Sequence, residues 1–175
     1  MIKIIIAFLL LPLTANAFIG VSTTVFNQEY KDYKTQKIEN SLSVNLNYYK
    51  PISENYIIGV STNRLTSQFL RAEGYLVSKS NQVAIKTKTR LTTDSLGLFR
   101  RVDKWLVGGN VINARKDSDL YLNNTKIGSN KESELLYGFS FGKILDGGVL
   151  TATYIFKNED FNLKRAINIS YAFKF

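Results

Sequence analysis

The sequence contains neither cysteine nor histidine among its 175 residues. Without cysteine the chain cannot form a disulfide scaffold, an iron–sulfur or zinc-thiolate site, or a lipid-anchored N-terminal cysteine. Without histidine it lacks the commonest general base near neutral pH, the commonest metal ligand and every Ser–His or Cys–His catalytic pair. The predicted strand interiors also contain few carboxylates and no obvious catalytic pair. We therefore predict a protein without enzyme activity, catalytic residues, cofactor or metal.

Long apolar runs are equally scarce, because only the N-terminus carries one. A short basic start, Met1–Lys3, precedes an apolar run from Ile4 to Leu13, and Ala15-Asn16-Ala17 completes an A-x-A cleavage motif. A membrane-spanning helix needs ~20 residues, which is about twice the length of this run. The three-part pattern is typical of a cleaved secretory signal. We expect residues 1–17 to be a signal peptide and residues 18–175 to be the mature domain.

The mature chain alternates between two kinds of side chain with a period of two, which is the pattern of β-strands with two different faces. From 41 to 48, Leu, Val, Leu and Tyr alternate with Ser, Ser, Asn and Asn, and 135–142 and 167–175 behave similarly. A soluble sandwich would place Lys, Glu and Thr on its solvated face. Small Ser, Asn, Gly and Ala side chains instead suit the crowded interior of a narrow barrel, with the large apolar face toward lipid.

Counting the alternating segments gives eight strands. The third strand begins at Tyr56 and the fourth ends near Arg100. The other six cover about 18–28, 40–50, 105–115, 132–143, 149–157 and 164–175. Short turns at 50–55, 101–104 and 145–148 alternate with long polar connections at 29–39 and 116–131, which is the asymmetry of outer-membrane barrels. The prediction is an all-β, eight-stranded antiparallel up-and-down transmembrane β-barrel. Ten strands are the alternative, but this would require a strand of about six residues near 95–101, where ~9–11 are needed.

The region 64–92 is the least regular part of the pattern. We interpret 66–78 and 82–92 as extensions of the third and fourth strands, forming an extended external hairpin. The phase of the alternation reverses between Leu91 and Leu96, which predicts a bulge or a kink.

This hairpin also carries most of the excess positive charge. Its cations are Arg64, Arg71, Lys79, Lys86, Lys88 and Arg90, against the single carboxylate Glu73. Such a cluster suits contact with anionic lipopolysaccharide phosphates or an acidic partner. An ordinary hairpin whose charges prevent edge-to-edge aggregation would have the same composition. Aromatic and basic residues do not interleave as in a nucleic-acid module, so no nucleic-acid partner is expected.

The small and polar positions of the strands predict the lining of the barrel. The polar set is Ser22, Thr24, Asn45, Asn47, Asn110, Ser140, Asn168 and Ser170, and the small set is Gly20, Gly59, Gly138, Gly142, Ala152 and Ala172. An eight-stranded barrel is just wide enough to be filled by its own side chains. A narrow, porin-like channel for small solutes is therefore the alternative function.

The C-terminal segment from Ile167 to Phe175 resembles that of the small eight-stranded outer-membrane barrels of the OmpX and OmpA-transmembrane-domain type. The resemblance is one of pattern and extends over 18–175. It implies the outer membrane of a Gram-negative-type bacterium, and it implies that Tyr171, Phe173 and Phe175 form the signal read by the barrel-assembly machinery. Aromatic residues near the predicted periplasmic strand ends, namely Tyr48, Tyr56, Trp105, Phe173 and Phe175, are expected to anchor the barrel at the membrane interface.

These observations together predict a non-enzymatic outer-membrane protein with a structural or surface-interaction role. Its expected partners are outer-membrane lipid and lipopolysaccharide, the assembly machinery, and a host or phage surface molecule. Adhesion and envelope integrity are both compatible with this role. Contact would occur through external loops around 27–40, 64–92, 116–131 and 158–163.

Overall fold

A computed structural model describes residues 17–28, 33–38, 41–67, 72–78 and 84–174. The signal sequence predicted at the N-terminus lies almost entirely outside these residues. The described chain forms ten strands, all paired antiparallel. They are β1 (Phe18–Gln28), β2 (Tyr33–Ile38), β3 (Ser41–Pro51), β4 (Tyr56–Thr62), β5 (Ala72–Ser78), β6 (Ala84–Val102), β7 (Trp105–Leu122), β8 (Thr125–Leu145), β9 (Gly148–Ile155) and β10 (Leu163–Lys174).

Eight of the ten strands close into a barrel. The ring runs β1-β3-β4-β6-β7-β8-β9-β10, and β10 pairs with β1 from Phe18↔Lys174 upward. The predicted eight-stranded antiparallel barrel is confirmed. The ten-stranded alternative is wrong, because β2 and β5 stay outside the ring: β2 pairs with β5, and β5 pairs with the upper part of β6.

Three strands continue far beyond the ring. β6, β7 and β8 contain 19, 18 and 21 residues, whereas ~9–11 cross a bilayer. Their far halves, 84–92, 114–122 and 125–134, form a sheet with β2 and β5 in the order β2-β5-β6-β7-β8. We name this the upper sheet, and we call its end of the barrel the upper end.

The upper sheet corrects three predictions about connections. The polar segment 116–131 is not a loop but a hairpin, which turns at Asn123 and Asn124, both with positive φ (50° and 68°). The segment 29–39 contains β2. The third strand does not extend through 66–78, since β4 ends at Thr62 and a turn follows, whereas 82–92 is continuous with the fourth barrel strand from Ala84 onward, as predicted. Polar residues on both faces of these strands hide the period-two signal.

Of the bulge or kink predicted between Leu91 and Leu96, the bulge is wrong. The register of β6 against β7 is unbroken from Lys86↔Tyr121 to Val102↔Trp105. Leu91 points into the barrel mouth and is buried, while Leu96 points outward and is exposed. The apolar residues change face because β6 passes from the barrel mouth, where the inward face is apolar, to the band, where the outward face is apolar. The register of the backbone stays the same.

The interior has three layers. An upper apolar cluster contains Phe26, Leu91, Ile112, Ala114, Leu136, Ile155, Phe161, Leu163 and Ala166. A lower apolar cluster contains Phe18, Tyr49, Ile57, Phe99, Leu106, Val149 and Ala172. Between them lies a layer of Ser, Thr and Asn side chains, nearly all buried. Both ends of the barrel are therefore closed by apolar side chains.

The outward face of the barrel is a continuous apolar band. Exposed members include Val21, Leu46, Leu96, Leu98, Val111, Leu135, Tyr137, Phe139, Phe141, Leu150, Tyr154, Ile167 and Ile169. Ala152 belongs to this face too, opposite Phe141 and Ile169, so its assignment to the lumen is wrong; Thr151 and Thr153 point inward instead. Within the described residues, no helix has both the length and the apolar character to cross a membrane.

We predict that two glycines in the ring respond oppositely to the same substitution. A Cβ on Gly20 would lie 2.0 Å from the Tyr171 carbonyl oxygen, because β1 and β10 approach closely there. Gly20→Ala should therefore destabilise the barrel by about 1–3 kcal/mol through overpacking. A Cβ on Gly109 meets nothing nearer than 3.9 Å, so Gly109→Ala should be neutral or stabilising by about 0.5–1 kcal/mol.

Urea unfolding in detergent micelles, followed by heat-modifiable gel mobility, measures both variants. Equal midpoints for Gly20→Ala and Gly109→Ala would contradict the close approach of the first and last strands.

Candidate functional site

The polar layer of the lumen is a connected hydrogen-bond network. The Asn45 amide donates to the hydroxyls of Ser22 and Thr24, each at 3.1 Å. The Asn168 amide donates to the same two hydroxyls at 2.9 and 2.7 Å. Each of the eight polar residues predicted for the lumen lies here, buried or half-buried. This confirms the inward face derived from the alternation.

A small cavity lies within this layer. Its volume is about 40 Å³, and Thr24, Asn45, Asn47, Asn110 and Asn168 contribute to its lining. A water needs about 10–15 Å³ by this measure, so the cavity has room for about three waters. The apolar clusters above and below separate it from both ends of the barrel. The lumen is thus a polar layer between two apolar clusters, with space for a few water molecules.

Asn63 connects the ring to the upper sheet. β6 pairs with β4 up to Thr62↔Asp94 and with β5 from Ala72↔Thr89, so this edge of β6 lacks a strand partner in between, while its other edge stays paired with β7. The Asn63 amide fills this gap: its Nδ2 donates to the Leu91 carbonyl at 2.9 Å, and its Oδ1 accepts from the Thr93 N–H at 2.6 Å. Asn63 is only 1% exposed. One side chain therefore replaces a neighbouring strand at the branch point.

The six predicted cations do not form one free cluster. The Arg64 Nε donates to both oxygens of Asp94 at 2.9 and 3.0 Å, and the Thr62 hydroxyl donates to the same carboxylate at 2.8 Å. Arg64 is therefore neutralised beside the branch point. Arg71 and Lys79 lie outside the described residues.

Lys86 and Lys88 lie together on the outward face of the upper sheet, with Glu73. Their ammonium groups are 2.9 and 3.2 Å from the Glu73 carboxylate. Hydrogen bonds from Lys86 and Lys88 lower the pKa of the Glu73 carboxyl below its ordinary value. The carboxylate consequently stays ionised at pH values where an isolated glutamate is partly protonated, and it offsets part of the positive charge of the two lysines.

The sequence reasoning missed Arg115 and Lys131, two cations outside the predicted hairpin that lie on the same face as Arg90. Arg90 lies opposite Asp117 of β7, which lies opposite Lys131 of β8, and Arg115 precedes Asp117 by two positions on the same face. The segment 113–134 has balanced charge as a whole, and this concealed the separation of its charges between two faces. Strand alternation through 113–134 is the signal that would have revealed it.

Lys116 occupies the opposite, inward face. It is 2% exposed, forms an ion pair with Glu132, and donates to the Phe161 carbonyl at 3.4 Å. Its ammonium also lies 5.0 Å from the centre of the Phe161 ring. Phe161 closes the upper apolar cluster, so this buried lysine fixes the β9–β10 connection over the barrel mouth.

The predicted interface aromatics divide into two groups. Tyr56, Trp105 and Phe173 project outward near the lower end and are 42–57% exposed. Trp105 stacks on Phe141, and the Lys143 ammonium lies 5.0 Å from the centre of the Trp105 ring in a cation–π contact. Tyr48 shares their face by register but is only 7% exposed. Of the predicted assembly signal, Tyr171 and Phe173 pack edge to face, and Phe175 lies outside the described residues.

We predict that Asn63→Ala is among the costliest single polar substitutions in the described part of the chain. It leaves the Thr93 N–H and the Leu91 carbonyl buried without a partner, so the expected loss is about 2–4 kcal/mol. Asn130→Ala is the matched control, because the Asn130 amide is exposed and donates only to Glu132. Its effect should stay within about 0.5 kcal/mol. Indistinguishable urea midpoints for the two variants would refute the role of Asn63.

Comparisons with known proteins support the fold and go no further. No family model matches the chain, and no curated protein matches it. The crystal structure of Ail, the attachment invasion locus protein of Yersinia pestis, superposes with a TM-score of 0.56 at 14% sequence identity, covering 90% of this chain and 92% of that one. The same protein in complex with the heparin analogue sucrose octasulfate gives 0.55 at 12% identity, with the same coverage. The resemblance to small eight-stranded barrels is thereby confirmed as a likeness of fold.

Proposed function

We propose that this chain is an integral outer-membrane protein of a Gram-negative-type bacterium, which acts through surface contacts of its upper sheet rather than through catalysis or transport. The observation that carries the proposal is the outward apolar band on a closed barrel. Side chains such as Val21, Tyr137 and Ile169 are each more than half exposed on it. Soluble monomers rarely expose apolar patches of more than a few hundred Å². A lipid leaflet removes this surface from water.

The closed ring is compatible with that environment. Lipid provides no hydrogen-bond partners for backbone groups, so a sheet within it must have no free edge. Each barrel strand here pairs with two neighbours. The export signal predicted at the N-terminus and the aromatic C-terminal strand fit the same route, with delivery to the barrel-assembly machinery.

Transport is the weaker candidate. An apolar cluster closes each end of the lumen, and Phe161 is held over the upper mouth by Lys116. A conducting path would require both clusters to open. The two apolar clusters favour a structural or interaction role over a narrow porin-like channel.

Surface contact is favoured by the upper sheet, which stands clear of the band. On its outward face Arg90, Arg115 and Lys131 form no ion pair with any described residue, whereas Lys86 and Lys88 are paired with Glu73 and Lys126 is paired with Asp119. A face of this kind suits anionic envelope components, above all lipopolysaccharide, and sulfated or acidic surface molecules of a host or phage. Ail, whose fold is similar, has been crystallised with the heparin analogue sucrose octasulfate, which supports a polyanion as the class of ligand.

Catalysis has little support. The sequence has no histidine or cysteine. Within the described residues, no three carboxylates lie close enough together to hold a metal ion. The polar groups that converge in the lumen are neutral and lie between the two apolar clusters. We therefore include absence of enzyme activity in the proposal.

The proposal predicts which turns face the cell exterior. An epitope inserted between Asn123 and Asn124, at the tip of the β7–β8 hairpin, should be labelled by antibody on intact cells. The same epitope between Asp146 and Gly147, in the β8–β9 turn at the lower end, should be labelled only after permeabilisation. Labelling of the Asp146 insertion on intact cells, or failure to label the Asn123 insertion, would contradict the assigned membrane orientation.

A further inference from the structure

Three cations lie together on the outward face where the barrel meets the upper sheet. Arg90 and Lys131 flank Asp117 in the β6–β7–β8 ladder, and Arg115 lies one step lower on β7. Directly opposed residues of a ladder project from the same face. Arg115 and Lys131 are exposed, and Arg90 is half-buried. We name Arg90, Arg115 and Lys131 the rim cations.

The rim cations stand just above the apolar band. Below Arg115 on the same face of β7 come Asn113 and then Val111, which lies between Leu96 and Tyr137. Each two-residue step is about 7 Å along a strand. Arg115 therefore starts about 14 Å above Val111 along the strand, and its long side chain can bend toward the top of the band. In a membrane whose hydrocarbon covers the apolar band, Arg115 would therefore lie near the lipid headgroups.

The rim cations outnumber the carboxylates beside them: Asp117 lies between Arg90 and Lys131, and Arg115 attracts Asp94 electrostatically. Among the described residues, none of the three forms an ion pair within 4 Å. The two carboxylates nearest to Arg115 by register are Asp94, which Arg64 already binds, and Asp117. The Nε of Arg90 is buried and has no hydrogen-bond partner. Lys86 and Lys88, higher on the same face, differ because both contact Glu73.

We propose that the rim cations bind the phosphate groups of lipid A, whose acyl chains would cover Leu96, Val111, Leu135 and Tyr137. A guanidinium matches a phosphate with two parallel N–H···O bonds, and the nearby Lys131 adds a point charge. An apolar band directly below supplies the contact that acyl chains need. The inference rests on the proposed function, because it requires an outer leaflet around the band. It moves the principal anion contact from Lys86 and Lys88 to Arg115 and its neighbours.

The test uses the mature protein in detergent micelles, with phosphorylated lipid A and its dephosphorylated form as probes. The variant Arg90→Ser/Arg115→Ser/Lys131→Ser removes the rim cations. The variant Lys86→Ser/Lys88→Ser is the matched control on the same face, and heat-modifiable gel mobility confirms that each barrel is folded. We expect the triple variant to bind phosphorylated lipid A at least about tenfold more weakly, since each surface cation contributes to attraction toward anionic lipid. The control should change by less than about twofold.

Dephosphorylated lipid A separates phosphate recognition from apolar contact. It should bind the unaltered protein and the triple variant equally weakly. The inference is overturned if the triple variant binds as tightly as the unaltered protein, if the control loses as much affinity, or if phosphatidylglycerol binds as tightly as lipid A. Should the triple variant fail to fold, Arg115→Ser alone decides: a loss of about threefold supports the site and an unchanged affinity rejects it. The epitope labelling reports separately on the outer-membrane assignment, so a folded and correctly oriented barrel with unaffected binding rejects only this inference.

Discussion

The structure depends on backbone hydrogen-bond closure. Eight strands form a ring in which every strand has two partners, and the first and last strands complete it through Gly20 and Ala172. Only a closed sheet can place its polar backbone in lipid. Closure at eight strands also leaves an interior that side chains must fill. The narrow ring therefore explains both the small residues on the inward face and the close approach of β1 and β10.

The three layers of side chains that fill the barrel interior indicate that the protein functions through its outer surfaces. Asn, Ser and Thr side chains satisfy one another in the middle of the barrel, and apolar clusters close it at each end. With an apolar cluster toward each end of the lumen, the surfaces most open to contact are the outward face and the upper sheet. β6, β7 and β8 cross from one setting to the other without a break in the β6–β7 register. The same strands that anchor the protein thus present its charged surface, and Asn63 joins the additional strands to them.

The alternation of residues was sufficient to predict the ring because its two faces meet different surroundings. Where one face of a strand contacts lipid and the other faces the lumen, as from 135 to 142, the period of two is clear and the predicted inward residues are correct. Ala152 is the exception, because alanine fits either face. The prediction failed where both faces are polar. The β7–β8 hairpin was read as a loop, although Asn123-Asn124 is a suitable pair for a turn with positive φ at both positions. The charge balance of 113–134 likewise hid the fact that Arg115 and Lys116 point in opposite directions.

The central claim is that the large apolar face contacts lipid, and site-directed spin labelling tests it most directly. The absence of native cysteine allows single cysteines to be introduced one at a time along β8, from 135 to 142, in protein reconstituted into bilayers. The account predicts that labels at 135, 137, 139 and 141 are accessible to oxygen, which partitions into lipid, and shielded from a water-soluble nickel complex. Labels at 136, 138, 140 and 142 should be immobilised and shielded from both. High accessibility of the odd positions to the nickel complex would contradict a lipid-facing band.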